Sequence, residues 1–143
     1  MDDEVGRALL DQAPDAVIFA GADGLISYWN EAAERVFGFS AGKAVGQSLD
    51  LIIPEQFREA HWKGFDHALK QGDTKYRGEA LATRAVRADG ETIYVELSFA
   101  IAKDRNGKVI GALAMARDIT VRFNRDREMR RKLRELEAQQ NAG

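Results

Sequence analysis

The sequence predicts an α+β fold in which helices cover one face of an antiparallel sheet. Three observations carry this reading. Asp23-Gly24, Asp89-Gly90 and Asn106-Gly107 are hairpin-turn pairs flanked by strand-like segments. Between Ile93 and Ile101 the pattern alternates: Ile93, Val95, Leu97, Phe99 and Ile101 share one side, and Tyr94, Glu96, Ser98 and Ala100 share the other. The helical patterns gather in the middle of the chain, so they pack together on one side of the sheet.

In chain order, Asp2 to Gln12 reads as a short amphipathic helix with Val5, Ala8, Leu9 and Leu10 as its apolar stripe, and Pro14 lies just past its end. Such a helix packs either on its own domain or on a partner chain. Ala16 to Ala20 is a buried-type strand, and Leu25 to Trp29 returns from the first turn. Asn30 is a suitable cap for the helix that follows, in which Ala33, Val36 and Phe37 are apolar. Trp29 belongs to the core or an interface. Ser40 to Ala44 forms a helical turn ended by Gly46, and Asp50 to Ile53 leads into a central helix from Pro54 to Gly72. Tyr76 to Arg87, Ile93 to Ile101 and Val109 to Ala116 are the later strands. From Asp118 onward the pattern is helical, with Met129, Leu133 and Leu136 spaced as in a heptad seam.

Composition bounds the function. A chain of 143 residues with net charge −2 is one domain with a tail. No apolar run approaches the ~18 residues of a membrane span and no signal-peptide pattern is present, so a cytoplasmic location is expected, with no membrane partner. The absence of cysteine removes disulfides, thiolate metal sites, cysteine nucleophiles and flavin–cysteine photoadducts, and two histidines make a multi-ligand zinc site improbable. No nucleophile–base pair, phosphate-cradling glycine loop or supported carboxylate dyad is present, so the chain is not read as an enzyme. Residues 121–137 hold seven basic and four acidic side chains. The mixture, with no aromatics facing the groove side, favours a solvated helix continuing into a coiled coil over a nucleic-acid or membrane-facing arm.

The sharpest chemical hint is the central helix. Phe57, His61, Phe65 and Leu69 recur every four residues, flanked by Ala60, Gly64 and Ala68, while Arg58, Glu59, Lys63, Asp66, His67 and Lys70 fall largely on other faces. One histidine therefore sits on an apolar stripe, and His67 is expected at the surface. A lone histidine in that setting is commonly a core residue.

These elements in this order resemble a PAS sensor domain. The resemblance is carried by YWNEAAERVFGFS at 28–40, VGQSL at 45–49, IIPEQFREAH at 52–61, RADGETIYVELS at 87–98 and ARDIT at 116–120. It implies a five-stranded antiparallel sheet with short helices around a pocket. Residues 1–13 would be an N-terminal cap helix, 14–120 the PAS domain and 121–143 a signalling helix. Asp118, Ile119 and Thr120 would relay the signal to an effector. A homodimer through the N-terminal helix, the sheet face and the C-terminal helix is implied, with no nucleic acid.

Within the family, the proline-led helix with Arg58-Glu59-Ala60-His61 is similar to that of the haem-binding oxygen sensors, both the FixL-type kinases and the oxygen-sensing phosphodiesterases. That likeness implies haem b with His61 as the axial iron ligand, in a slot lined by Phe57, Gly64, Phe65, Leu81, Leu97 and Phe99. Leu81 stands where those sensors place a distal arginine, and Arg84 is not at the matching position. An apolar distal side favours carbon monoxide or nitric oxide over specific oxygen recognition. Met115 is considered as a sixth ligand or as core packing. A small organic ligand and a cofactor-free dimerisation or interaction module are the alternatives.

Overall fold

The computed structural model describes residues 2–74 and 79–142. Its elements are α1 (Asp3–Asp11), β1 (Ala16–Gly21), β2 (Ile26–Trp29), α2 (Glu31–Phe37), α3 (Ala41–Ala44), two 3₁₀ turns (Leu49–Ile52 and Glu55–Phe57), α4 (Arg58–Gln71), β3 (Leu81–Val86), β4 (Thr92–Lys103), β5 (Val109–Asp118) and α5 (Thr120–Ala142). The five strands form one antiparallel sheet in the order β2-β1-β5-β4-β3. The predicted α+β architecture is the observed one.

The three hairpin glycines all adopt left-handed backbone: Gly24 at φ 79°, Gly90 at 85° and Gly107 at 81°. This geometry is open to glycine at little cost. At Gly24 there is a second constraint, because a β-carbon would come within 2.7 Å of the Trp62 ring. The first turn is therefore packed under α4.

One face of the sheet carries the core. Ile18, Trp29, Ile93, Val95, Ala85 and Ala116 are buried there against Phe37, Ala44 and Ile52 from the connecting helices and turns. Trp29 lies 5.6 Å from Phe37 between ring centroids, and its indole N–H donates to the carbonyl of Phe39 at 2.9 Å. Alternation then sends Val17, Phe19, Tyr28, Tyr94, Leu113 and Met115 to the opposite face. Met115 pairs with Val17 and Ser98 and is 39% exposed, so it points away from the core and cannot be a ligand inside it. Of the strand predicted over Tyr76 to Arg87, Tyr76 to Gly78 lie outside the described residues, Glu79 and Ala80 are not in a strand, and β3 runs Leu81–Val86.

Helix α1 docks through its middle and C-terminal end. The Tyr28 hydroxyl donates to Asp11 Oδ1 at 2.7 Å, and Arg7 both pairs with Asp11 and covers the Tyr28 ring. Burial, and then the Asp11 carboxylate, push the Tyr28 phenol up to about 12. Val5, Leu9 and Leu10 stay exposed.

Asn30 ties this together. It is 2% exposed, and its side chain is fully used. Oδ1 accepts from the backbone N–H groups of Val17 and Ala33, both at 2.9 Å, while Nδ2 donates to the carbonyls of Leu10 at 3.0 Å and Asp15 at 3.1 Å. It caps α2 as expected, and also holds the end of α1 and the start of β1. Removing it leaves buried partners unsatisfied. Asn30→Ala is therefore expected to lower stability by about 2–4 kcal/mol, measured as a lower urea midpoint at unchanged slope. A loss below about 1 kcal/mol would mean these groups find water instead.

Candidate functional site: the chamber beside α4

Helix α4 is entered through the 3₁₀ turn after Pro54, with no side-chain N-cap, and ends at Gly72 in left-handed backbone. Its entry is fixed from outside. Arg58 donates to the carbonyls of Ile53 at 3.1 Å and Asp50 at 3.3 Å, and the Trp62 indole N–H donates to Asp50 Oδ1 at 2.7 Å. The helix is thus pinned to the preceding turn by polar contacts rather than by a filled apolar interface. None of its residues is fully buried.

What lies under it is space. A cavity of about 190 Å³ is bounded by Phe57 from the second 3₁₀ turn, His61 from α4, Leu81 and Ala85 from β3, and Leu97 and Phe99 from β4. A second, of about 430 Å³, is bounded by His61, Gly64, Phe65, Phe99, Ile101 and Ala112. His61 and Phe99 belong to both walls. The larger cavity falls within the roughly 300–1,000 Å³ of small-molecule sites. A β-carbon built at Gly64 would meet nothing within 4 Å, so the helix leaves room there. All seven residues singled out from the sequence, Phe57, His61, Gly64, Phe65, Leu81, Leu97 and Phe99, surround these two compartments.

His61 is the unusual group. Its Nδ1 is buried and, among the described residues, has no hydrogen-bond partner. The ring meets Trp62 edge-on at 4.6 Å and Phe65 at 6.0 Å between centroids. Burial lowers its pKa below the ordinary imidazole value, and the nearby Asp50 carboxylate opposes this only in part. The ring is therefore held neutral, with a nitrogen that lacks a partner, a state that costs free energy unless something pairs with it.

A family model described as the PAS fold matches residues 4–119. The chain belongs to the PAS family. PAS relatives include an uncharacterized protein of Azorhizobium caulinodans, 33% identical over 126 residues, covering 87% of this chain and 17% of that protein. Sensor protein FixL of Bradyrhizobium diazoefficiens is 33% identical over 92 residues, 64% of this chain and 18% of FixL. Oxygen sensor protein DosP of Escherichia coli is 26% identical over 122 residues, 85% of this chain and 15% of DosP. The chain thus spans less than a fifth of each of these proteins. Among solved structures, the PAS domain of a Colwellia psychrerythraea protein superposes with a TM-score of 0.71 at 26% identity, covering 83% of this chain and 98% of that one.

The far end of the PAS domain is equally well defined. Asp118 Oδ1 accepts from the backbone N–H of Thr120 at 2.9 Å and from its hydroxyl at 2.6 Å. Ile119 is buried, its N–H donating to the Tyr94 carbonyl at 2.8 Å, while the Tyr94 N–H donates to Thr120 Oγ1 at 3.0 Å. The Phe123 ring stacks on Tyr94 with centroids 3.9 Å apart, and Arg122 pairs with Glu96. Beyond this anchor α5 leaves the domain, with Met129, Leu133 and Leu136 exposed.

Several site residues escape the sequence pattern. Trp62 lies one position off the stripe, and its partner Asp50 is twelve residues earlier. Thr83 and Arg84 reach the smaller cavity from the edge strand, and Tyr94 finds Phe123 only through the fold. His67, expected at the surface, is exposed but borders the larger cavity.

The state of His61 has a measurable consequence. A folded pKa below the unfolded value of about 6.5 means that the unfolded chain binds more protons in that window. Stability should be full above about pH 7 and decline as pH falls through 6.5. Urea midpoints between about pH 5 and 7.5 should show this slope, and His61→Phe should flatten it.

Proposed function

We propose that this PAS domain is the sensory input segment of a signalling protein, detecting a guest in the chamber around His61 and relaying the change to an effector through Asp118, Ile119 and Thr120 into α5. The observation that carries this is the buried Nδ1 of His61, without a partner among the described residues, at the wall shared by two largely apolar compartments. A close-packed core does not keep such a gap. Something that pairs with the imidazole or fills the room gains free energy on entering, which is what a detector needs.

Haem b is the favoured guest. The residues present fit it: one neutral imidazole on an apolar wall, aromatic side chains at Phe57, Phe65 and Phe99, and no side chain at Gly64. His61 would supply the axial ligand, and the bound group would supply an iron that responds to gas or redox state. This follows the likeness to FixL and to DosP, which is named an oxygen sensor. The chain's own residues keep the imidazole neutral by burial, orient it between Trp62 and Phe65, and hold the helix entry through Asp50 and Arg58. Leu81 offers no hydrogen bond to a diatomic ligand, so carbon monoxide and nitric oxide are favoured over oxygen. Purification with haem supplied should yield a Soret band that His61→Ala abolishes. A chain that stays colourless removes haem and leaves a small organic guest or a cofactor-free interaction module.

The output reading includes a dimer. Val5, Leu9 and Leu10 on α1, Met115 on the sheet face, and Val121, Met129, Leu133 and Leu136 on α5 are all exposed apolar side chains. We infer that these surfaces meet a second copy, with or without a guest in the chamber. A chain ending at Thr120 should dimerise more weakly by sedimentation. An unchanged mass would remove α5 from the interface.

A further inference from the structure

The smaller compartment has a charged edge that the haem reading does not use. Arg84 is an exposed residue of the edge strand β3, and its guanidinium carbon lies 5.1 Å from the centroid of the Phe57 ring. Both residues line the 190 Å³ cavity, as do Thr83 and His61. Arg84 therefore sits at the solvent side of a space whose deeper wall, formed by Ile52, Leu97 and Phe99, is apolar. Among the described residues its side chain makes this ring contact but no ion pair and no hydrogen bond. No protein group among the described residues takes up its N–H donors. The cation–π contact positions the guanidinium without using them.

We propose that this compartment binds a small monocarboxylate with an apolar, ring-sized body, with Arg84 holding the carboxylate at the mouth and the body lying between Leu97, Phe99 and His61. Size sets the body. The volume of 190 Å³ exceeds the ~150 Å³ of an apolar cavity that takes up benzene, and is too small for a much larger molecule. Charge sets the head group. A guanidinium fork matches a carboxylate with two parallel hydrogen bonds, which an ammonium cannot reproduce. The apolar depth sets the number of charges, because a second carboxylate would be buried there without a partner. A bare inorganic anion would satisfy Arg84 but leave the apolar walls unfilled.

This inference rests on the reading of the chamber as a ligand site and does not depend on haem. The test is calorimetric titration of the intact 143-residue chain with benzoate, benzyl alcohol and inorganic phosphate, repeated on Arg84→Met, which keeps an apolar stem against Phe57. Benzoate should bind more tightly than benzyl alcohol to the native chain. Arg84→Met should lose roughly tenfold or more in benzoate affinity while benzyl alcohol changes by less than about twofold. Arg84→Lys should recover part of the loss. Arg84 is exposed, so these variants are expected to fold, and their circular dichroism checks it. Benzoate binding unchanged in Arg84→Met, or phosphate competing as well as benzoate, overturns the proposal. Benzyl alcohol binding with no preference for benzoate overturns the carboxylate assignment while leaving the chamber a ligand site. No binding of either ring compound overturns this proposal, and a Soret band would then still leave the chamber a haem site.

Discussion

The fold depends on one buried amide. Asn30 sits at the junction of β2 and α2, and its two donors and two acceptor contacts reach the end of α1, the residue before β1, the first residues of β1 and the first turn of α2. A carboxamide is the side chain that offers two donors and two acceptors on one short rigid group. Four chain segments are brought into register by a group that is itself almost wholly excluded from water. The arrangement is unforgiving, since a buried network is favourable only when every member is paired. That strictness lets the rest of the domain be looser.

The looseness is concentrated under α4. This helix is secured at its entry by Asp50, Arg58 and Trp62, and at its end by Gly72, but between them it faces open volume. The fold thus places its rigid half around Phe37, Trp29 and Asn30, and its accessible half around His61. A domain packed to uniform density would be more stable and would have nowhere to admit a guest. The cost of the gap is the absence of dispersion contacts along its lining and an imidazole nitrogen left without a partner among the described residues.

Strand β4 joins the two regions that the proposed relay would connect. Leu97 and Phe99 form the chamber wall, and three residues earlier Tyr94 holds the start of α5 through both of its backbone groups and its ring. On the neighbouring strand, Arg84 pairs in register with Tyr94 while its side chain covers Phe57. The chamber and the exit helix therefore share one hairpin, with no intervening linker or mobile loop. Any signal between them needs two arrangements of that hairpin or of the Asp118–Thr120 junction with different affinities for the guest.

Local chemistry was enough to place the elements and the histidine. Turn glycines, the alternation through Ile93–Ile101 and the four-residue spacing of Phe57, His61 and Phe65 act over a few residues, so they are written directly into the chain. The same patterns found Asn30 as a cap and the lining residues as a set. Its burial, its bonds to Leu10 and Asp15, and the outward turn of Met115 were not legible, because they depend on which strands become neighbours. The order β2-β1-β5-β4-β3 brings Ala16 beside Ala116 and sets every residue of β5 on its face. Likewise, the volume beside His61, and the approach of Arg84 to it, arise where three elements distant in sequence fail to fill the space between them. A gap has no residue of its own, so only packing in three dimensions decides that it exists.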